Sequence, residues 1–272
     1  MRLYPCAKIN IGLNVVSRRS DGYHNLQTVF YPVALCDVLE TEPSSALTLT
    51  VTGDDVDCPM EKNLVVKAYC MLYKDFDLPP VSIRLHKRIP SQAGLGGGSS
   101  DATAMLLALN EMFAVGLSDK ELVAYAARLG ADCPFFVQAK PCYATGIGEL
   151  LSPIDVGKRL RGKYVVIVKP PVAVSTREAF GGISLSDAPR TSPAEIVGEP
   201  VERWRDKLSN DFETTVFRIH PELAEIKKRL YDVGAIYAQM SGSGSAIYGI
   251  FPSSPDIGQE TFPDSRLFTL PL

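Results

Sequence analysis

The chain has 272 residues, 46% hydrophobic and 22% charged, which excludes a disordered chain and allows one large domain or two modest ones. Lys and Arg number 28 against 31 Asp and Glu, a formal charge of -3. Without a basic excess the chain lacks the cations that general nucleic-acid binding requires, although a local pocket for one phosphorylated small molecule stays open.

The elements alternate between strand and helix patterns, which predicts mixed structure. Ile9, Ile11, Leu13 and Val15 alternate over residues 7–16, a half-buried strand with Lys8 and Asn10 on the other side. Residues 25–40 read as a second strand and 47–51 as a third. Leu64, Ala68, Met71 and Leu72 give a helix over 63–74, and Val81, Ile83 and Leu85 a strand over 81–86. A glycine-rich stretch at 94–98 precedes a helix whose stripe is Ala102, Met105, Leu106, Leu109, Met112 and Phe113. Ser118 and Glu121 form a capping box for the next helix, which ends before Gly130. Residues 163–169 form a buried strand ending at Pro170-Pro171, and 184–206 is rich in Ser, Pro and charge. Pro221 opens a helix carrying Leu223, Ile226, Leu230 and Val233, closed by Gly234. A strand, a Gly/Ser loop and another strand run to Phe251, and the tail from Pro252 is weakly patterned.

No apolar run reaches the roughly 18 to 20 residues of a membrane-spanning helix, and the first residues carry no signal-peptide core. The six cysteines form no C-x-x-C pair and pattern with none of the three histidines, so they read as free thiols of a cytoplasmic protein rather than zinc ligands or nucleophiles.

Five segments carry chemistry. Gly94-Leu95-Gly96-Gly97-Gly98-Ser99-Ser100 stands before a helix, where glycine backbone N–H groups and the helix dipole attract phosphate. It lacks the Gly-Lys-Ser/Thr of the P-loop and the acidic residue of a dinucleotide fingerprint. Asp132, between Gly130 and Pro134, either bonds its own turn or serves as general base for a hydroxyl nucleophile. Lys8 and Asn10 share one side of their strand, either a solvent face or a charge beside an acid. Asp21-Gly22-Tyr23-His24 is a turn with an aromatic and an imidazole, suited to a planar base or to local packing. Ser241-Gly242-Ser243-Gly244-Ser245 is either a plain turn or a second loop closing on the same ligand.

In this order, from about residue 5 to about residue 251, the segments resemble the GHMP kinases, the family of galactokinase, homoserine kinase, mevalonate kinase and phosphomevalonate kinase. Lys8-Ile9-Asn10, Arg19 to Leu26 and Gly130-Ala131-Asp132 are similar to the member acting on a cytidyl diphosphate methylerythritol in non-mevalonate isoprenoid biosynthesis. The resemblance implies an α+β, two-domain GHMP kinase fold with the active site in the inter-domain cleft. It implies an ATP-binding domain over 1–155 and a substrate-side domain over 156–272. It makes Lys8 and Asp132 catalytic. It puts Asn63 and Lys87 near the adenine, and Pro90, Gly94, Leu95, Gly96, Gly97, Gly98, Ser99 and Ser100 along the rest of the ATP. Asn10, Tyr23, His24, Thr176, Phe180, Gly242 and Ser243 fall to the substrate, Tyr23 and Phe180 sandwiching the cytosine. ATP is expected with Mg2+, whose protein ligands stay unassigned, and the chain is expected to be a monomer or weak homodimer.

Two positions depart from the family pattern: Gln92 stands where glycine is usual, and the tail after Phe251 lacks the further amphipathic helix of many relatives. The alternatives are another GHMP small-molecule kinase, such as homoserine or mevalonate kinase, and a catalytically inactive ATP-binding protein.

Overall fold

The computed structural model describes residues 1–54, 58–185 and 190–272, so residues 186–189 of the Ser/Pro-rich stretch lie outside the described residues. In chain order the strands are β1 (Arg2–Leu3), β2 (Cys6–Arg18), β3 (His24–Cys36), β4 (Val38–Pro43), β5 (Thr48–Gly53) and β6 (Val81–Lys87). They continue as β7 (Cys142–Thr145), β8 (Leu150–Pro153), β9 (Tyr164–Lys169), β10 (Tyr237–Met240), β11 (Ile247–Phe251) and β12 (Arg266–Pro271). The helices are α1 (Leu64–Phe76), α2 (Gly97–Met112), α3 (Asp119–Leu129), α4 (Gly157–Leu160), α5 (Thr176–Phe180), α6 (Pro193–Ile196), α7 (Phe212–Ile219) and α8 (Pro221–Asp232).

The chain forms two compact units that interleave in sequence. The first comprises Met1–Ala7, Leu35–Ser91 and Gly96–Lys140; the second comprises Lys8–Ala34, Gln92–Leu95 and Pro141–Leu272. In the first unit the sheet order is β1-β4-β6-β5. β5 and β6 are parallel, a pairing that needs a crossover, and α1 supplies it. Alternation along β6 sends Val81, Ile83 and Leu85 into a core shared with Leu72 of α1 and Met105 and Leu109 of α2. The second unit holds two sheets, β2-β3-β7-β8 and β10-β11-β9-β12. β9 is buried on both faces from Val165 to Val168, as a strand paired on both edges should be. Its core takes Val166 and Val168 with Phe212 and Val216 of α7 and Leu223 and Leu230 of α8.

Four expectations change. The strand predicted over 25–40 is two strands, because Asp37 interrupts it: its backbone N–H donates to Pro5 O at 3.0 Å, and its carboxylate accepts from the N–H groups of Arg88 and Ile89 at 2.5 and 2.8 Å. The side of β2 bearing Lys8 and Asn10 is not a solvent face, since both are as buried as Ile9 and Ile11. Gly97 to Ser100 are not loop but the first turn of α2. The weakly patterned tail forms β12, an edge strand antiparallel to β9, half-buried in short alternating stretches that left little periodic signal.

Gln92 has a φ of 48°, the left-handed region that favours glycine. That conformation costs a side-chain-bearing residue about 1–2 kcal/mol, partly offset by the greater unfolded-state entropy of glycine. Gln92→Gly is therefore expected to raise the unfolding free energy by about 0.5 kcal/mol in urea titration. A loss of stability would mean that the glutamine side chain outweighs its backbone strain.

Candidate active site

In the second unit the site is built on an unusual strand. β2 lies at a sheet edge, and its outward N–H groups must find acceptors. Lys8 N–H donates to Leu95 O at 2.9 Å, Asn10 N–H to Ser241 Oγ at 3.3 Å and Gly12 N–H to Gln239 Oε1 at 2.8 Å. Gly12, at φ 67°, shifts the phase, so the next outward N–H groups belong to Leu13 and Val15, which donate to Ser209 O at 2.8 Å and Asp211 Oδ2 at 2.7 Å. The strand is thereby held in place without a neighbouring strand on that side.

Its polar side chains are paired as well. Lys8 Nζ donates to Asn10 Oδ1 at 2.6 Å and sits 5.0 Å over the Phe30 ring. Asn10 Nδ2 donates to Thr28 Oγ1 at 3.0 Å. The two Gly/Ser loops meet beside them. Ser241 Oγ donates to Gly94 O at 2.9 Å, and the N–H groups of Ser245 and Ala246 reach Gln92 O and Ala93 O. A Cβ on Gly94 would lie 1.8 Å from Ser241 O, so only glycine permits this approach. One on Gly242 would come within 3.2 Å of Asn10 Oδ1. Ser243, in the same loop, is half-buried.

Farther along, His24 stacks on Phe180 with ring centroids 4.7 Å apart, and Phe212 meets Phe180 edge-on at 4.7 Å. Tyr23 is 60% exposed at its turn, its N–H donating to Asp21 Oδ1 at 3.0 Å. Thr176 is exposed at the start of α5, which Ser175 and Glu178 cap. His24 thus covers one face of Phe180.

In the first unit Asn63 caps α1, accepting from Val65 N–H at 3.0 Å. Pro90 is buried between β6 and the glycine-rich stretch. Gly96 is the cap residue of α2, at φ 72° with no side-chain bond to the helix start. The first intrahelical bond runs from Ser100 N–H to Gly96 O at 2.9 Å, so the N–H groups of Gly97, Gly98 and Ser99 precede the intrahelical ladder. Asp132 lies half-buried on the turn closed by Cys133 N–H and Gly130 O at 3.1 Å. Thr103 of α2 holds that turn, its Oγ1 2.9 Å from both Cys133 O and Ser99 O.

Lys87, expected near the adenine, is buried at the end of β6. It continues the buried parity of Val81, Ile83 and Leu85, and its ammonium donates to Asp37 and, at 2.5 Å, to Asp101. Burial opposes its charge, but the two carboxylates outweigh that and push its pKa up. Burial raises Asp101 to about 7, with Lys87 pulling it down and Asp37 pushing it up. One ammonium cannot neutralise two buried carboxylates. Sequence reasoning missed Asp37 and Asp101, although an Asp inside an apolar strand pattern and a Lys at buried parity were signals. Thr28 gave none.

The six cysteines are free. Burial pushes the thiols of Cys6 and Cys133 to about 11 and Cys142 to about 12, so none of these three is a ready nucleophile. Among the described residues no group of three or more His, Cys, Asp or Glu is placed to hold a metal ion, and no helix is long and apolar enough to cross a membrane.

This arrangement has the class of the GHMP kinases: residues 63–140 match the GHMP kinases N terminal domain and 196–261 the GHMP kinases C terminal domain. The 4-diphosphocytidyl-2-C-methyl-D-erythritol kinase of Porphyromonas gingivalis is 48% identical over 266 residues, 97% of each chain. A crystal structure of 4-(cytidine 5'-diphospho)-2C-methyl-D-erythritol kinase superposes with a TM-score of 0.80 at 33% identity, covering 100% of both chains. Homoserine kinase from Cytophaga hutchinsonii shares the fold alone, at 18% identity and a TM-score of 0.69, over 98% of this chain and 94% of that one. The chain belongs to the 4-diphosphocytidyl-2-C-methyl-D-erythritol kinase family of GHMP kinases. It is a small-molecule kinase and uses ATP.

Asp101 gives a pH test. Its folded pKa, about 7, lies above the ordinary 3.8, so its contribution to stability is complete below about pH 4 and is lost as pH rises through 7. Asp101→Asn is expected to shrink the fall in unfolding free energy between pH 4 and pH 7.5. An unchanged difference between the two pH values would show that Asp101 titrates normally in the folded chain.

Proposed function

We infer that this chain transfers the γ-phosphoryl group of ATP to the 2-hydroxyl of 4-diphosphocytidyl-2-C-methyl-D-erythritol, giving the 2-phosphate and ADP in non-mevalonate isoprenoid biosynthesis. The observation that carries this reading is near-full-length identity of 48% to a kinase of that name. The expected halves, 1–155 and 156–272, stand as part of the proposal, with the two family matches on either side of that cut. A cytoplasmic location and a monomer or weak homodimer belong to the same reading.

Asp132 takes the proton of the acceptor hydroxyl, whose oxygen forms the new bond to phosphorus as the bond from the γ-phosphorus to the β,γ-bridging oxygen breaks. Positioning and charge stabilisation account for most of phosphoryl-transfer catalysis. The N–H groups at the start of α2 cradle the phosphates, and the helix dipole favours their charge. Lys8 stabilises charge at the reacting centre. Asn63 and Lys87 border the adenine, Lys87 through its stem and backbone, because its ammonium is committed to Asp37 and Asp101. Asn10, Thr176, Gly242 and Ser243 contact the acceptor, and Tyr23, His24 and Phe180 hold the cytosine.

Mg2+ draws most of its ligands from phosphates and water, so a sparse protein donor set fits it. The half-buried Ser99 hydroxyl in the first turn of α2 is the donor that would hold it. When bound it neutralises charge on the phosphates.

A coupled ADP-release assay with Mg-ATP, comparing the cytidyl substrate with homoserine and mevalonate, tests the reading. Turnover is expected with the cytidyl substrate alone, and Asp132→Ala is expected to lower kcat by about 100-fold or more while ATP affinity holds. Turnover confined to another acceptor would move the chain to that kinase class; no turnover in protein that binds ATP would make it a binding protein. Tyr23→Ala is expected to raise the KM for the cytidyl substrate about ten-fold, the loss of one stacked base, and to leave the ATP KM unchanged. Equal shifts in both would remove Tyr23 from the cytosine site.

A further inference from the structure

We propose that Thr28 is a positioning residue for the reaction, setting the orientation of the Asn10 amide and through it the place of the Lys8 ammonium. This rests on Lys8 as the catalytic lysine. Thr28 is 1% exposed and lies on β3. Its hydroxyl has a single proton, and that proton goes to Gly12 O at 2.5 Å. Toward Asn10, 3.0 Å away, Thr28 Oγ1 can therefore only accept. An acceptor there demands the amide nitrogen of Asn10, so the amide oxygen is turned to the opposite side, where Lys8 Nζ lies 2.6 Å off. The proton order is Lys8 to Asn10, Asn10 to Thr28 and Thr28 to the β2 backbone at Gly12.

The rest of Asn10 is fixed independently. Its N–H donates to Ser241 Oγ at 3.3 Å, and its carbonyl accepts from Tyr248 OH at 2.8 Å. The backbone is thus pinned, and the free variable is the side-chain amide, which Thr28 addresses from the β3 side. Phe30, two residues along the same face of β3, packs against the Lys8 ammonium. β3 thus touches both ends of the Lys8–Asn10 pair. Without the Thr28 hydroxyl, a buried amide N–H loses its acceptor, and the amide gains a reason to turn or shift. Lys8 then loses a fixed partner.

The test compares Thr28→Val, which keeps the shape and removes the hydroxyl, with Thr28→Ser, which keeps the hydroxyl. Thr28→Val is expected to lower kcat about ten-fold, the cost of one lost buried hydrogen bond, with the ATP KM unchanged. Thr28→Ser is expected to hold kcat within about two-fold of wild type. In an Asn10→Ala background the valine change is expected to cost nothing further, because the residue through which it acts is gone. Undiminished kcat in Thr28→Val overturns the proposal. So does a loss shared equally by the serine variant, or a loss that multiplies with that of Asn10→Ala. If the valine variant does not fold, Thr28→Cys, of similar volume and weaker hydrogen bonding, is expected to show a smaller loss of kcat, and wild-type turnover there overturns the proposal in its turn. Failure of the wild-type chain to phosphorylate the cytidyl substrate sinks the function itself, whereas wild-type activity with an indifferent Thr28 sinks only this role.

Discussion

Lys8 is 3% exposed, and an ammonium taken out of water costs several kcal/mol unless polar groups surround it. Much of the second unit follows from meeting that demand. Asn10 gives Lys8 an oxygen, Thr28 gives Asn10 an acceptor, and the backbone of Gly12 gives Thr28 one. The Phe30 ring covers the charge without competing for its protons. A strand that buries polar groups on one side and Ile9 and Ile11 on the other has no tolerance for a register slip. A shift of one residue would leave every one of these donors unmatched.

The same strand explains why the two Gly/Ser loops meet. β2 needs acceptors along its outer edge, and Leu95 O and Ser241 Oγ supply two of them. Ser241 then hands its own proton to Gly94 O, which ties the second loop to the first. The glycine-rich loop is therefore held by the strand that carries Lys8. Gly94 is required by contact with Ser241, before any question of phosphate arises.

The first unit solves a comparable problem with formal charges. Lys87 enters the core by strand parity and is met by Asp37 and Asp101. Asp37 also accepts from the backbone at Arg88 and Ile89. The triad joins the end of β6, the break between β3 and β4 and the first turns of α2. Such a cluster contributes little net stability, but breaking it by removing one partner leaves uncompensated buried charge. Its effect is to fix where the N-terminus of α2 lies.

The sequence alone determined the order of chemical segments, the Asp132 turn, most strands and the helices α1, α2, α3 and α8, because these depend on neighbours within a few residues. The capping box at Ser118 and Glu121 and the alternation of β6 are local facts, and both appear as read. Only the tertiary structure decided that both sides of β2 are buried, since period-two alternation cannot distinguish water from a second layer of protein. The break at Asp37 came from backbone and side-chain partners about 30 and 50 residues away, visible in no window of the chain. β12 depended on β9 to give it a pairing edge, and its own pattern was too weak to show it. Thr28 stands as an ordinary strand threonine until Asn10 lies beside it. Direction of a proton along a hydrogen-bond chain is a property of three dimensions, because it is set by which atoms are left to accept.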